Sequence, residues 1–269
     1  MIATSAVDPP VMVGFGLAVM GGAVVVALVA LGVPLSKRAV IAFVPWSVTA
    51  GMVPHLTATG LYEPYTVLLT MPTSVLVVAT VAGVSWLFGL LLATVRGRSG
   101  CEGYLASSGV GTLLAVSAGV FYSASTVTPT GVLWFLVTPI AAVLVAALGY
   151  FVLGLVYTTP LVTLRFTGLF VVFATTVDGV TATVAAVVFG RRETVGVSGA
   201  LRWGMEITGV GVIAWSYAVG ALAFGLVTVA FCGRLTERSI SLSNALALTV
   251  IVVTLTPTTY ALVSIVLGG

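Results

Sequence analysis

Charge is scarce in this chain, because Asp, Glu, Lys and Arg together make up only 6% of its 269 residues. A soluble domain needs about 25% of such residues to cover its surface, so no part of this chain can form one. Apolar residues account for 59% of the sequence, and long apolar runs recur from end to end. The composition therefore predicts one integral membrane domain over residues 1–269, embedded in the lipid bilayer of the cell membrane.

Histidine, cysteine and lysine are nearly absent, and each absence excludes a class of site. The one histidine, His55, and the two cysteines, Cys101 and Cys232, have no metal-ligand, redox or disulfide spacing. The only lysine, Lys37, lies in a predicted connection, so no membrane-buried lysine can form a retinal Schiff base. The basic residues are scattered rather than gathered into a stripe that would follow phosphates. We therefore predict no metal, no cofactor and no nucleic-acid partner.

Eight apolar stretches are long enough to cross a bilayer, which takes about 20 residues of helix. The short connections between them favour antiparallel neighbours, and hence an all-α polytopic bundle of transmembrane helices. The predicted spans, numbered one to eight in chain order, are residues 11–33, 39–60, 66–94, 104–124, 132–157, 166–189, 208–232 and 244–267.

The basic residues also predict the orientation of the bundle, because cytoplasmic connections are enriched in Lys and Arg. The connections after odd-numbered spans carry seven of them: Lys37, Arg38, Arg96, Arg98, Arg165, Arg234 and Arg238. The connections after even-numbered spans carry three, all in the sixth connection: Arg191, Arg192 and Arg202. We predict that the odd connections are cytoplasmic and that both termini lie outside.

Asp178 is the one carboxylate within the predicted spans, and it lies near the middle of span six. A charge at that depth is costly, so we expect it to face a partner, water or a substrate inside the bundle. Thr175 precedes it by three residues, on the same predicted helical face. A face rich in threonine and small residues also suits close helix packing without any further role. We predict that Asp178 and Thr175 belong to a solute-binding site.

The sixth connection runs against the charge pattern of the rest of the chain. Arg191 and Glu193 follow the end of span six, and residues 198–207 have the pattern of a short interfacial helix before span seven. Arg202 and Glu206 are four residues apart and therefore share one face of that helix. A short loop tolerates a few charges without any function. The functional interpretation is that these four residues fold over the end of span six as part of the polar site.

Prolines predict where the spans break. Pro45 and Pro54 lie in span two and Pro257 in span eight, and each removes a backbone hydrogen bond. Freed carbonyls at membrane depth are tolerated only beside protein or a water-filled cavity. We therefore predict a cavity lined by spans two, six and eight. His55 is either an interfacial histidine or a titratable group at the mouth of that cavity.

Two stretches of the chain resemble a known family. They are residues 42–76, AFVPWSVTAGMVPHLTATGLYEPYTVLLTMPTSVL, and residues 170–206, FVVFATTVDGVTATVAAVVFGRRETVGVSGALRWGME. Both are similar to blocks of the archaeal membrane-protein family catalogued as domain of unknown function 63. The resemblance implies an archaeal and halophilic source.

The resemblance also implies that Asp178, Glu193 and Glu206 match positions of that family, and His55 less closely. Thr175 stands where the family usually has a histidine, so a His/Asp pair within this helix is not expected here. The family has no established activity, and the resemblance therefore implies no reaction.

Three functions remain open at the level of the sequence. The first is a protein that binds or transports a small polar or ionic solute through the predicted cavity. The second is a membrane-embedded enzyme that acts on a lipid-linked substrate, with Asp178 as the base and Arg191, Arg192 or Arg202 holding an anionic head group. The third is a non-catalytic assembly partner, in which Asp178 pairs with a neighbouring helix. A homo-oligomer is compatible with each.

Overall fold

The computed structural model describes residues 9–59, 65–96, 100–124, 126–190, 196–208 and 215–268. Every regular element within those ranges is helical. The helices are α1 (Pro9–Ala30), α2 (Lys37–Ala42), α3 (Val44–Met52), a 3₁₀ helix (Val53–Thr59), α4 (Thr66–Leu69), α5 (Thr73–Val95), α6 (Glu102–Ser123), α7 (Pro129–Val156), α8 (Thr159–Leu164), α9 (Phe166–Val188), α10 (Val197–Thr208), α11 (Trp215–Arg238) and α12 (Ile240–Val266).

Eight of these segments are long and apolar enough to cross a membrane, which confirms the predicted all-α polytopic bundle. Seven of them are the single helices α1, α5, α6, α7, α9, α11 and α12. The remaining one, span two, is assembled from α2, α3 and the 3₁₀ helix. The short helix predicted before span seven is also present, as α10.

The proline-rich spans differ in how far they break. Span two is interrupted at Phe43, just before Pro45, and changes to a 3₁₀ helix at Val53, just before Pro54. Span eight, by contrast, stays one continuous helix through Pro257. The predicted break in span eight is therefore wrong. The neighbouring helices hold α12 in helical form, and only the hydrogen bond that the Pro257 nitrogen cannot donate is missing.

Two predicted span boundaries are also displaced. Span three begins at Thr73 rather than at residue 66, because residues 66–69 form the separate helix α4. Span seven runs over Trp215–Arg238 rather than over 208–232. Its last turns carry Arg234 and Arg238, whose long side chains can extend from the end of a span toward water.

Helix α9 forms the centre of the bundle and α1 its periphery. In its most apolar part, α9 has 72% of its residues buried, whereas α1 has only 6%. Helix α9 packs against α7, α11 and α12, whereas α1 packs mainly against α5. The contact with α11 is close, because a Cβ at Gly179 would lie 2.5 Å from the carbonyl oxygen of Tyr217. Small residues allow membrane helices to approach in this way.

Three hydrogen bonds join the odd-numbered connections at one end of the bundle. The Ser36 hydroxyl donates to Glu102 Oε1 at 2.9 Å, and Asn244 Nδ2 donates to the Leu35 carbonyl at 2.6 Å. Lys37 Nζ donates to the Thr163 carbonyl. We call this the basic end, because it carries most of the basic residues. Its assignment to the cytoplasm stays a prediction.

Candidate functional site

Asp178 lies deep inside the bundle, as the sequence predicted. Its side chain is only 3% exposed. It precedes the last residue of α9, Val188, by ten positions, which corresponds to ~15 Å along a helix axis. Asp178 is therefore a polar group near the middle of a membrane span.

Three hydrogen bonds satisfy the Asp178 carboxylate. The backbone N–H and the hydroxyl of Ser198 donate to Oδ2 at 2.8 and 2.7 Å, and the Thr258 hydroxyl donates to Oδ1 at 3.0 Å. Both residues are themselves buried. Asp178 thus links three helices, since Ser198 lies in α10 and Thr258 in α12. Every one of these donors is uncharged.

The contact with Ser198 caps the N-terminus of α10 from another helix. Gly196 is the residue before α10, and its carbonyl accepts from the Ala200 N–H at 3.2 Å. The first N–H groups of a helix have no partner within it, and a side chain at the capping position usually supplies one. Glycine has no side chain, so the carboxylate of Asp178 takes that place. A negative charge there also interacts favourably with the helix dipole.

Gly196 is suited to this junction for a second reason. Its φ of +81° lies in the left-handed region, which other residues rarely adopt. A Cβ there would also lie 3.0 Å from Asp178 Oδ1 and 3.2 Å from the Pro257 ring. The backbone of residue 196 therefore lies directly against the carboxylate and the proline of α12.

Helix α10 packs lengthwise along the first turns of α11, in the opposite direction. The Leu201 side chain lies over Gly220, and the Ser216 hydroxyl contacts the Met205 sulfur at 3.5 Å. Because Ser198 lies at the level of Asp178, α10 starts within the bundle and runs outward. Its buried start lies against α9 and α12, and backbone at this depth needs such a protein cover.

Arg202 and Glu206 are on α10 but do not join Asp178 in any described contact. Arg202 Nε donates to Glu206 Oε1 at 2.7 Å, and both side chains are largely accessible. This hydrogen bond, together with the charge of Glu206, raises the pKa of the Arg202 guanidinium. The two residues therefore share one face of α10, and their part in a polar site at the end of span six stays a prediction.

His55 also lies apart from the carboxylate. Its Nε2 is 3.1 Å from the Tyr260 carbonyl, and its ring stacks on the Tyr260 ring at a centroid distance of 4.7 Å. Tyr260 is two residues after Thr258, so His55 and Asp178 contact the same part of α12. The described contacts do not bring the two side chains together.

Thr175 packs against α11 rather than against α10. Its hydroxyl donates to the carbonyls of Val171 and Val172, within its own helix. A Cβ at Gly225 would lie 2.1 Å from that hydroxyl oxygen, so Thr175 faces the α9–α11 contact. Two other predicted site residues, Arg191 and Glu193, lie outside the described residues.

The sequence did not predict the two residues that actually contact Asp178. Ser198 was the first residue of the helix predicted at 198–207, with no predicted link to Asp178, and it lies in the first turn of α10. Thr258 lies in the stretch TLTPTTY beside Pro257, and the threonines and the proline together were the available signal. On α9 itself, the buried Thr176 hydroxyl has no hydrogen-bond partner among the described residues.

The predicted polar cavity between spans two, six and eight stays a prediction. Spans six and eight meet at Asp178, but Ser198 and Thr258 occupy the space beside its carboxylate. A large cavity of about 670 Å³ lies elsewhere, between spans one, two, three and eight. Within the described residues, no three His, Cys, Asp or Glu side chains are grouped so that they could hold a metal ion.

The site therefore offers one buried carboxylate, two hydroxyls and a helix N-terminus. Such a set can hold a proton, a small cation or the cationic group of a solute. Comparisons with known proteins give no further guide, because no family model, no curated protein and no solved structure matches this chain.

Proposed function

We propose that this integral membrane protein binds and transports a small polar or ionic solute, with Asp178 as the charged centre of the binding site. The observation that carries the proposal is the buried carboxylate whose described donors are all neutral. A carboxylate at this depth is unfavourable until a proton or a cation balances its charge. The solute, or an ion that is coupled to it, would provide that balance.

The surroundings of Asp178 favour a cation over an anion. Oxygen atoms of Ser198 and Thr258 lie within hydrogen-bond distance of the carboxylate. Pro257 has no N–H to donate to the Val253 carbonyl, one turn earlier in α12. Oxygen atoms are the ligands that hard cations prefer, and α12 supplies them here as a continuous helix.

Helix α10 is the element that would move in such a cycle. Its buried start lies over Asp178. Among the described contacts of that end of α10, this carboxylate is the one acidic group. A cation that binds Asp178 would compete with Ser198 for the same oxygen. Release of Ser198 would uncap α10 and open the site toward the end of the bundle opposite to the basic end.

The test is a cation titration of the purified protein in phosphatidylcholine nanodiscs. Na⁺, K⁺ or H⁺ is varied against choline at constant ionic strength, while the thermal midpoint is recorded. We expect one of these cations to shift the midpoint saturably in the wild type and not in Asp178→Asn. Glu206→Gln removes an exposed acid from α10 and should respond like the wild type. The absence of any cation-specific shift in the wild type would contradict the proposal.

A structural role for Asp178 is the second candidate, and the completeness of its hydrogen bonds favours it. In that case Asp178→Asn should lower the thermal midpoint, and neither Na⁺ nor K⁺ should shift the midpoint of the wild type. In the enzyme hypothesis Arg191, Arg192 or Arg202 holds an anionic head group; Arg202 bonds to Glu206, and Arg191 and Arg192 lie outside the described residues. Membership of the family catalogued as domain of unknown function 63 stays a prediction from the sequence.

A further inference from the structure

The large cavity lies between the peripheral helix α1 and the helices α3, α5 and α12. Its volume is about 670 Å³, within the range of sites that bind small molecules. Its walls come from α1, α3, α5 and α12, from the connection between α1 and α2, and from Phe43 before α3. Because these are membrane-spanning segments, the space lies at the depth of the hydrocarbon.

The walls of this cavity present almost no available polar groups. Trp46 Nε1 donates to the Leu105 carbonyl, and Trp86 Nε1 donates to the Cys101 sulfur. The hydroxyls of Ser47 and Thr80 donate to carbonyls of their own helices. The polar atoms of these four lining residues are therefore already satisfied. An occupant at this depth gains contact only through apolar surface, as a hydrocarbon chain does.

The length of the cavity fits the hydrocarbon chains of a lipid. Along α1 the lining residues run from Leu17 to Val29, a length of ~18 Å, close to the ~15 Å of one leaflet. A hydrocarbon chain of that length and ~4 Å across occupies roughly 230 Å³. The cavity therefore has room for both chains of one lipid.

One end of the cavity lies at the basic end of the bundle. Leu35 and Ser241 line it there, and the exposed residues Arg38 and Arg238 each lie three positions from one of them. The acidic groups nearby are Glu102, which accepts a hydrogen bond from the Ser36 hydroxyl, and the exposed Glu237. Basic residues exceed acidic ones at this end, and this charge is complementary to an anionic head group.

From these observations we infer that the cavity binds one anionic glycerolipid of the bilayer, with both hydrocarbon chains between α1 and α12 and the head group at Arg38 and Arg238. This lipid site is separate from Asp178, which is not among the lining residues. The inference therefore does not depend on the proposed transport function.

Two glycines of α1 provide a matched pair of variants for the chain-binding part. No atom lies within 4 Å of a Cβ at either Gly16 or Gly22. Only Gly22 lines the cavity, so Gly22→Phe fills it while Gly16→Phe adds the same ring elsewhere on α1. Ala18→Phe, on another exposed lining residue, is a second filling variant in case Gly22→Phe does not fold.

The experiment is native mass spectrometry of the protein released from nanodiscs that contain equal amounts of phosphatidylglycerol and phosphatidylcholine. We expect one phosphatidylglycerol to remain on the wild type and on Gly16→Phe, and to be lost from Gly22→Phe. Arg38→Gln and Arg238→Gln should each weaken its retention by about fivefold. Arg96 lies ten residues beyond the last lining residue of α5, so Arg96→Gln should leave lipid retention unchanged.

Three results would overturn the inference. Equal lipid retention by Gly22→Phe and Gly16→Phe would show that the cavity does not hold the lipid. Equal retention of the two lipids by the wild type would contradict the inferred preference for an anionic head group. A wild-type dimer that becomes monomeric in Gly22→Phe would identify a second copy of the chain as the occupant.

Discussion

Ser198 donates two hydrogen bonds to one oxygen of Asp178, from its N–H at 2.8 Å and from its hydroxyl at 2.7 Å. The two residues are 20 positions apart. This pair fixes the start of α10 at the depth of the middle of α9. The buried start of α10 is thus anchored to one carboxylate, which makes the pair suitable for mutational tests.

Asp178→Asn and Asp178→Ala separate the charge of the side chain from its hydrogen bonds. Asn can turn its oxygen to Ser198 and its amide to Thr258, so it should lose only the attraction to the helix N-terminus, about 0.3–2 kcal/mol. Ala removes the acceptor of the buried N–H and hydroxyl of Ser198, at about 1–3 kcal/mol each, whereas the Thr258 hydroxyl keeps the Thr254 carbonyl at 2.6 Å. Thermal unfolding in detergent, followed by tryptophan fluorescence, should therefore show a much larger loss for Ala. Equal losses would contradict the observed hydrogen bonds.

Ser198→Ala removes one of the two bonds from this residue and leaves the backbone N–H in place. A hydrogen bond to a charged group contributes about 1.5–3 kcal/mol. Local opening of α10 should become easier, and hydrogen exchange of residues 196–208 should accelerate by roughly tenfold or more. Ser107→Ala is the control, because that exposed hydroxyl bonds only to the Tyr104 carbonyl of its own helix. Unchanged exchange in α10 would show that the hydroxyl does not anchor it.

Gly179→Ala tests the close contact between α9 and α11. The new methyl group would lie 2.5 Å from the Tyr217 carbonyl oxygen and 2.6 Å from Ala221 Cβ. Overpacking of this kind costs about 1–3 kcal/mol, so the thermal midpoint should fall. Gly111→Ala on α6 is the matched control, since no atom lies within 4 Å of its Cβ. A midpoint that is equally unaffected in both variants would be inconsistent with the described helix contact.

Cysteine labelling tests the predicted orientation. The native Cys101 and Cys232 are buried and can be replaced by alanine. Glu206→Cys on α10 and Glu237→Cys at the end of α11 then place exposed thiols at opposite ends of the bundle. A membrane-impermeant maleimide added to intact cells should label position 206 and not position 237. Labelling of position 237 alone would reverse the orientation.

The membrane spans could be predicted because the bilayer imposes a length and a composition on each of them. Helix α10 was predicted at residues 198–207 and is found at Val197–Thr208. Its amphipathic pattern and the serine at its start were sufficient for that. The route of span two could be predicted from Pro45 and Pro54, whereas Pro257 left α12 continuous because its neighbours hold it in place.

The partners of Asp178 could not be predicted, because they depend on how distant helices pack. Thr258 is 80 residues from Asp178, and nothing local to either residue links them. Thr175 shows the limit of helical-face arguments. Three residues turn a helix by ~300°, which leaves Thr175 ~60° from the direction of Asp178. That angle is enough for one residue to face α11 and the other α10 and α12.

Thr258 has a consequence for the order in which the bundle can assemble. Helices α9 and α10 precede α12 in the chain and therefore leave the ribosome first. Until α12 inserts, Asp178 lacks both the Thr258 hydroxyl and the helix that covers it from lipid. A nascent chain that ends before residue 258 thus holds a partly bare carboxylate in hydrocarbon, where it is strongly unfavourable. Insertion of α12 is the event that makes the position of α9 stable.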